Sequence, residues 1–130
     1  MSAPTPWSHE LELLGQPRSV CGARGFVTDV LTEHHLPLLV DDVRLVVSEL
    51  ATNALVHAHT AFTVKLRTAM GPAVVLEVGD GSCAGPVLVA ATVLDTSGRG
   101  MAIVEALTQD WGIDVYEAGG KSVWAVFPTS

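Results

Sequence analysis

Apolar residues recur at helical spacing between Pro37 and Ala58. Val43, Val46, Val47, Leu50, Ala54 and Leu55 fall at i, i+3, i+4, i+7, i+11 and i+12, the stripe of an amphipathic helix with one face on a core. Asp41 and Asp42 suit its first turn, near the positive end of the helix dipole. An earlier segment, 17–36, has Pro17 where a first turn tolerates it, then Val20, Ala23, Val27, Val30 and Leu31 at helical spacing. Gly22 and Gly25 weaken that helix by about 1 kcal/mol each. Elsewhere the period shortens to two. Residues 61–70 alternate Phe62, Val64 and Leu66 with Thr63, Lys65 and Arg67, as a half-exposed strand does. Gly71-Pro72 turns the chain into a second strand over 73–80.

Residues 9–15 alternate weakly and predict a short first strand. The Gly-, Ser- and Ala-rich stretch 81–100 has no period. Residues 101–110 predict a short helix with Ile103, Ala106 and Leu107 on one face, and 111–127 a closing hairpin around Gly119-Gly120. Strands joined mostly by tight turns, with three helices to cover them, predict an α+β two-layer sandwich: a mixed, mostly antiparallel sheet with its helices on one face. One domain over 1–130 is expected, with 1–8 as a loose tail.

Composition narrows the function. The chain has 130 residues, 48% hydrophobic and 16% charged, a globular balance. Its net charge of −7 and seven scattered Lys and Arg offer no basic stripe to neutralise phosphates, so direct nucleic-acid binding is not expected. No apolar run reaches the roughly 20 residues that span a bilayer, and the first residues lack the pattern of a secretory signal. No membrane association and a cytoplasmic location are the expectation. Cys21 and Cys83, without CxxC spacing, are expected as reduced, packed thiols.

Three segments carry candidate chemistry. Glu49 and Asn53, in "SELATNAL", stand one turn apart beside the apolar stripe, with heads about 5–6 Å apart. Alone, such a pair fits a boundary hydrogen bond to a neighbouring loop better, since nothing in E-x-x-x-N is unique. In "VLEVGDGS" a strand runs into Asp80 and Gly81, setting a carboxylate at a sheet end. In "TSGRGMAIVEAL" a Gly-x-Gly turn, Gly98 to Gly100, opens a helix whose free N–H groups and dipole favour phosphate. The last two make joint sense gripping opposite ends of one nucleotide. His57 and His59, at i, i+2, do not share a helical face, and His34 and His35 have no visible third ligand, so a structural metal site is not expected. Trp111 and Trp124 read as core residues of the last hairpin.

Taken in order, "SELATNALVHA", "EVGDGS", "SGRGMAIVEALTQDWG" and "GGKSVWAVF" resemble the ATPase domain shared by gyrase, histidine kinases and the MutL proteins (the GHKL superfamily, with its Bergerat-type ATP-binding fold). They are most similar to the small anti-sigma-factor serine kinases of Gram-positive bacteria and their actinobacterial relatives. The likeness runs from about residue 17 to 128. It implies ATP and Mg²⁺ as cofactors. It implies that Asn53 offers its amide oxygen to Mg²⁺, which keeps most of its shell as water and phosphate. Glu49 would take a proton from an attacking serine hydroxyl. Asp80, with Gly81, would read the adenine amino group, where guanine's carbonyl would oppose two acceptors. Ser97, Gly98, Arg99, Gly100 and Met101 would hold the phosphates, with 81–100 as a lid.

The resemblance implies a protein-serine kinase acting as an anti-sigma regulator. Its target would be a STAS-type anti-sigma antagonist, with capture of a sigma factor and homodimer formation as further expectations. One departure is visible: where the superfamily often has D-x-G-x-G, this chain has Ser82 and Ala84 in the glycine positions. That motivates an alternative, an ATP-binding interaction module with little or no phosphoryl transfer. A sensor histidine kinase is not expected, since no phosphoacceptor-histidine hairpin is present.

Overall fold

A computed structural model describes residues 5–58, 61–80, 98–116 and 119–129. Its elements are β1 (Ser8–Leu13), α1 (Ser19–Glu33), a 3₁₀ turn (Pro37–Leu39), α2 (Val40–Ala58), β2 (Phe62–Ala69), β3 (Ala73–Asp80), α3 (Gly98–Leu107), β4 (Asp110–Val115) and β5 (Lys121–Pro128). The five strands form one sheet in the order β1-β2-β3-β5-β4. Every pairing is antiparallel, so the sheet of the described residues is not mixed. No described helix is long and apolar enough to cross a membrane.

Strand alternation gives the sheet two unlike faces. Phe62, Val64 and Leu66 on β2, Val74, Leu76 and Val78 on β3, and Val123, Ala125 and Phe127 on β5 are buried in one core. Against them lie Val27 and Leu31 of α1, the stripe from Val43 to Ala54 of α2, and Val104 of α3. Helix α2 is central: it packs on β3, with α1 and α3 both against it. Each of these aliphatic side chains contributes about 1.5–3 kcal/mol by burial. That gain must offset an entropy cost of similar size.

Element ends depart from the sequence pattern for local reasons. Helix α1 starts at Ser19, two residues after Pro17, and stops at Glu33. Its end is a Schellman motif: Leu36 N–H donates to the Leu31 carbonyl at 2.8 Å and His35 N–H to that of Thr32 at 3.1 Å, with His35 at φ 58°, the left-handed region this motif needs. Leu36 and Pro37 then force a 3₁₀ turn before α2. Helix α3 runs three residues earlier than expected, at both ends. Its close is fixed by Thr108, whose N–H and Oγ1 both donate to the Val104 carbonyl at 3.1 and 2.7 Å. Gln109 N–H then donates to the Val126 carbonyl at 2.8 Å, drawing the chain into β4. Val104, rather than Ala106, is the buried residue of α3, and Ala106 is exposed.

Two further expectations fail. Cys21 is exposed on α1 instead of packed, while Cys83 lies outside the described residues. Trp111 packs against the core from the helix side, but Trp124 lies between the buried Val123 and Ala125 and so faces the other side of the sheet. There it covers its pairing partner Gly112. A Cβ on Gly112 would clash with the indole of Trp124 at Cζ2. Gly112→Ala is therefore expected to destabilise the fold by about 1–3 kcal/mol through overpacking. Gly25→Ala, where a Cβ meets nothing within 4 Å, is expected to stabilise α1 by about 0.5–1 kcal/mol. Urea denaturation of the two variants checks the opposite signs.

Candidate functional site

Asp80, singled out in the sequence, stands at one end of the sheet. Phe62, Asp80 and Lys121 form a row across β2, β3 and β5. All three stand on the helix-facing side, because Val64, Val78 and Val123 two positions along (the strand period) are buried there. Lys121 Nζ donates to Asp80 Oδ2 at 3.0 Å, with the two side chains only 4% and 2% exposed. So deep a lysine is uncommon unless paired. The contact uses one of the carboxylate's roughly four acceptor directions.

Helix α2 arrives at this same end. It stops at Ala58 and β2 begins at Phe62, beside Asp80. Asn53 is five residues from the helix end, or about 7.5 Å at 1.5 Å per residue, and Glu49 is one turn further back. Asn53 is buried at 6% exposure, and its Nδ2 has no hydrogen-bond partner among the described residues. An unsatisfied buried amide costs about 1–3 kcal/mol. Such a group needs an explanation, and a missing ligand is one. The same amide carries Oδ1 beside Nδ2. Oδ1 is a hard oxygen, the donor type that Mg²⁺ takes.

Helix α3 closes at the opposite end of the sheet, where Asp110 pairs with Val126. It is about 15 Å long and packs beside α2. Gly98 to Met101 form its first turn, so their N–H groups are the ones an α-helix leaves without intrahelical acceptors. Gly98 and Gly100 thus lie inside the helix rather than in a turn before it. Gly81, Ser97 and the expected lid lie outside the described residues apart from 98–100.

Glu49 is half-buried. It lines a groove of about 480 Å³ with Arg24, Asp41, Arg44, Leu45 and Ser48, facing the junction of α1 and α2. Arg24 Nε donates to Ser48 Oγ at 2.7 Å, and Ser48 Oγ donates to the Arg44 carbonyl at 2.7 Å, which ties the helices together beneath the carboxylate. A second groove of about 460 Å³ includes Asp80, Lys121 and Ser122 together with Glu10, Glu12, Lys65 and Glu77. It runs onto the sheet face without helices. Neither groove contains Asn53.

Lys121 was missed as a site residue. Its signal, a lone lysine directly after Gly119-Gly120, becomes meaningful only once β5 is known to pair with β3.

Comparison with known proteins identifies the family and the fold. Residues 14–127 match the family model of the histidine kinase-like ATPase domain. No curated protein matches the chain. Among solved structures, a chain in the crystal structure of the SiaB–SiaC complex from Pseudomonas aeruginosa superposes with a TM-score of 0.69 at 18% identity, covering 90% of this chain and 88% of that one. At that identity the likeness is one of fold.

Proposed function

The chain belongs to the histidine kinase-like ATPase domain family, and from that premise we propose that it is an ATP- and Mg²⁺-dependent protein-serine kinase of the anti-sigma regulator type. Its substrate in this reading is a serine of a small STAS-type anti-sigma antagonist. The single observation that carries the reading is the buried amide of Asn53, whose Nδ2 has no hydrogen-bond partner among the described residues. It stands one helical turn from Glu49, on the helix that ends beside the sheet end holding the Asp80–Lys121 pair.

Each residue then has a task of its own. Asn53 ligates Mg²⁺ with Oδ1; as a single neutral ligand it holds the metal only together with nucleotide. Asp80 accepts from the adenine amino group, its carboxylate held in orientation by Lys121 from the neighbouring strand. The first-turn N–H groups of α3 bind phosphate oxygens, and Gly98 and Gly100 allow close approach of the backbone. Glu49 accepts the proton of the attacking serine hydroxyl. Bound Mg²⁺-ATP supplies the γ-phosphoryl group and spreads the developing charge. The partner's serine enters along the α1–α2 groove, which Glu49 lines together with Arg24 and Arg44. That the fold-mate was crystallised with a second protein supports a partner-directed role. Sigma-factor capture and homodimer formation belong to the same reading.

Ser82 and Ala84, in place of glycines, favour a second reading: nucleotide-dependent partner capture without transfer. Incubation with γ-labelled ATP, Mg²⁺ and candidate STAS-domain proteins separates the two. Label is expected on the antagonist, falling about 10²–10⁴-fold with Glu49→Ala while ATP binding persists. Nucleotide-dependent partner binding with no label on any antagonist would favour the second reading.

A further inference from the structure

We propose that His9, Glu33 and His34 form a binding site for a divalent transition metal, Zn²⁺ foremost, at the junction of β1 and the end of α1. It lies apart from the nucleotide residues and does not depend on the kinase reading. His9 Nε2 and His34 Nε2 are 2.9 Å apart. With Glu33 they form a cluster in which one ring nitrogen of each histidine and a carboxylate oxygen all lie within 4.8 Å of one another. Two imidazoles and one carboxylate form a donor set suited to Zn²⁺, with water completing the shell. Glu33 is exposed and the two histidines half-buried, which leaves that last position open to solvent.

The spacing fits an ion. Zn–N bonds of about 2.0–2.1 Å set two nitrogens roughly 2.9 Å apart at a right angle and roughly 3.3 Å apart in a tetrahedral site. Without metal, one Nε2 must carry a proton and donate it to the other. With metal, both rings hold their proton on Nδ1 and both Nε2 lone pairs point at the ion.

The fold pre-organises this arrangement. The Schellman turn fixes His34 at the C-cap of α1, and the indole of Trp7 stacks on its ring at 4.0 Å and 9°. Trp7 is in turn tied to β2: its N–H donates to Thr68 Oγ1 at 3.1 Å and its carbonyl accepts from Thr68 N–H at 3.0 Å. His9 reaches the helix side of the sheet through its register opposite Leu66. The negative end of the α1 dipole and the Glu33 carboxylate both favour a cation here. A bound ion would fasten the edge strand β1 to α1.

The test is calorimetric titration of ZnCl₂ into the metal-stripped, tag-free full chain, with folding of every variant checked by circular dichroism. One Zn²⁺ per chain is expected. Affinity should fall at least about 10-fold with Glu33→Gln, and more with His9→Ala or His34→Ala, since even partners of metal ligands are worth about 10–100-fold. A His35→Gly/His57→Ala/His59→Ala triple variant, which removes the other three histidines and keeps the left-handed position at 35 unstrained, should retain the wild-type affinity. The proposal is overturned by an absence of saturable Zn²⁺ binding. It is equally overturned if a folded His9→Ala/His34→Ala double variant binds Zn²⁺ as tightly as wild type, or if the triple variant loses the site.

Discussion

Lys121→Ala is expected to destabilise the fold by up to about 3–5 kcal/mol, because it removes the ammonium from the buried Asp80 carboxylate. Lys121 and Asp80 side chains are 4% and 2% exposed and 3.0 Å apart, so water cannot replace the ammonium cheaply. The outer-face pair Arg67–Glu77 has the same 3.0 Å separation at 38% and 26% exposure; breaking it should cost no more than about 1 kcal/mol. Distance being equal, burial decides the difference. A Lys121→Met/Asp80→Asn double variant removes both charges and should recover most of the loss. Urea midpoints for the three variants measure this, and a loss below about 1 kcal/mol for Lys121→Ala would mean that the pair is solvated.

Asn53→Ala is expected to separate function from stability. A buried side chain that packed and bonded well would be costly to lose. Here the deletion also removes an unsatisfied amide that costs about 1–3 kcal/mol, so unfolding free energy should change by no more than about 1 kcal/mol. Mg²⁺-ATP affinity, by contrast, should fall at least 10-fold, equivalent to about 1.4 kcal/mol. Chelating Mg²⁺ should weaken ATP binding to wild type by a similar factor and add little further loss in the variant, because the two act on one interaction. Calorimetry and urea denaturation on the same preparations provide both numbers. Full ATP affinity in Asn53→Ala would remove the metal-ligand role.

Local physics made much of the fold readable before any coordinates. The 73–80 strand is bounded by Gly71-Pro72 on one side and Asp80-Gly81 on the other, and its observed span is the expected one. Helix α2 carried an unbroken stripe and differs only in its opening 3₁₀ turn. What misled was tertiary. The close of α3 depends on Gln109 pairing with Val126, an interaction with a strand formed later in the chain. Trp124 reads as core by type, yet strand parity sends it to the other face.

The candidate site divides in the same way. Glu49 and Asn53 were legible because a helix sets their relation by spacing alone. Lys121 was not, since its partner lies across a strand pairing no spacing reveals. The His9–His34 contact joins residues 25 apart by the packing of α1 against β1, and a search for local metal-ligand spacing passes over it.

The central claim is convergence: α2 around Asn53, the Asp80–Lys121 row and the first turn of α3 serve one nucleotide. The most direct measurement is a titration of isotopically labelled protein with Mg²⁺-ATP followed by amide NMR. Saturable shifts are predicted to concentrate at Glu49–Asn53, Asp80, Lys121 and Gly98–Met101, and to be small at the Trp7–His34 end. Saturation with those amides unmoved, or no saturable change at all, would contradict it.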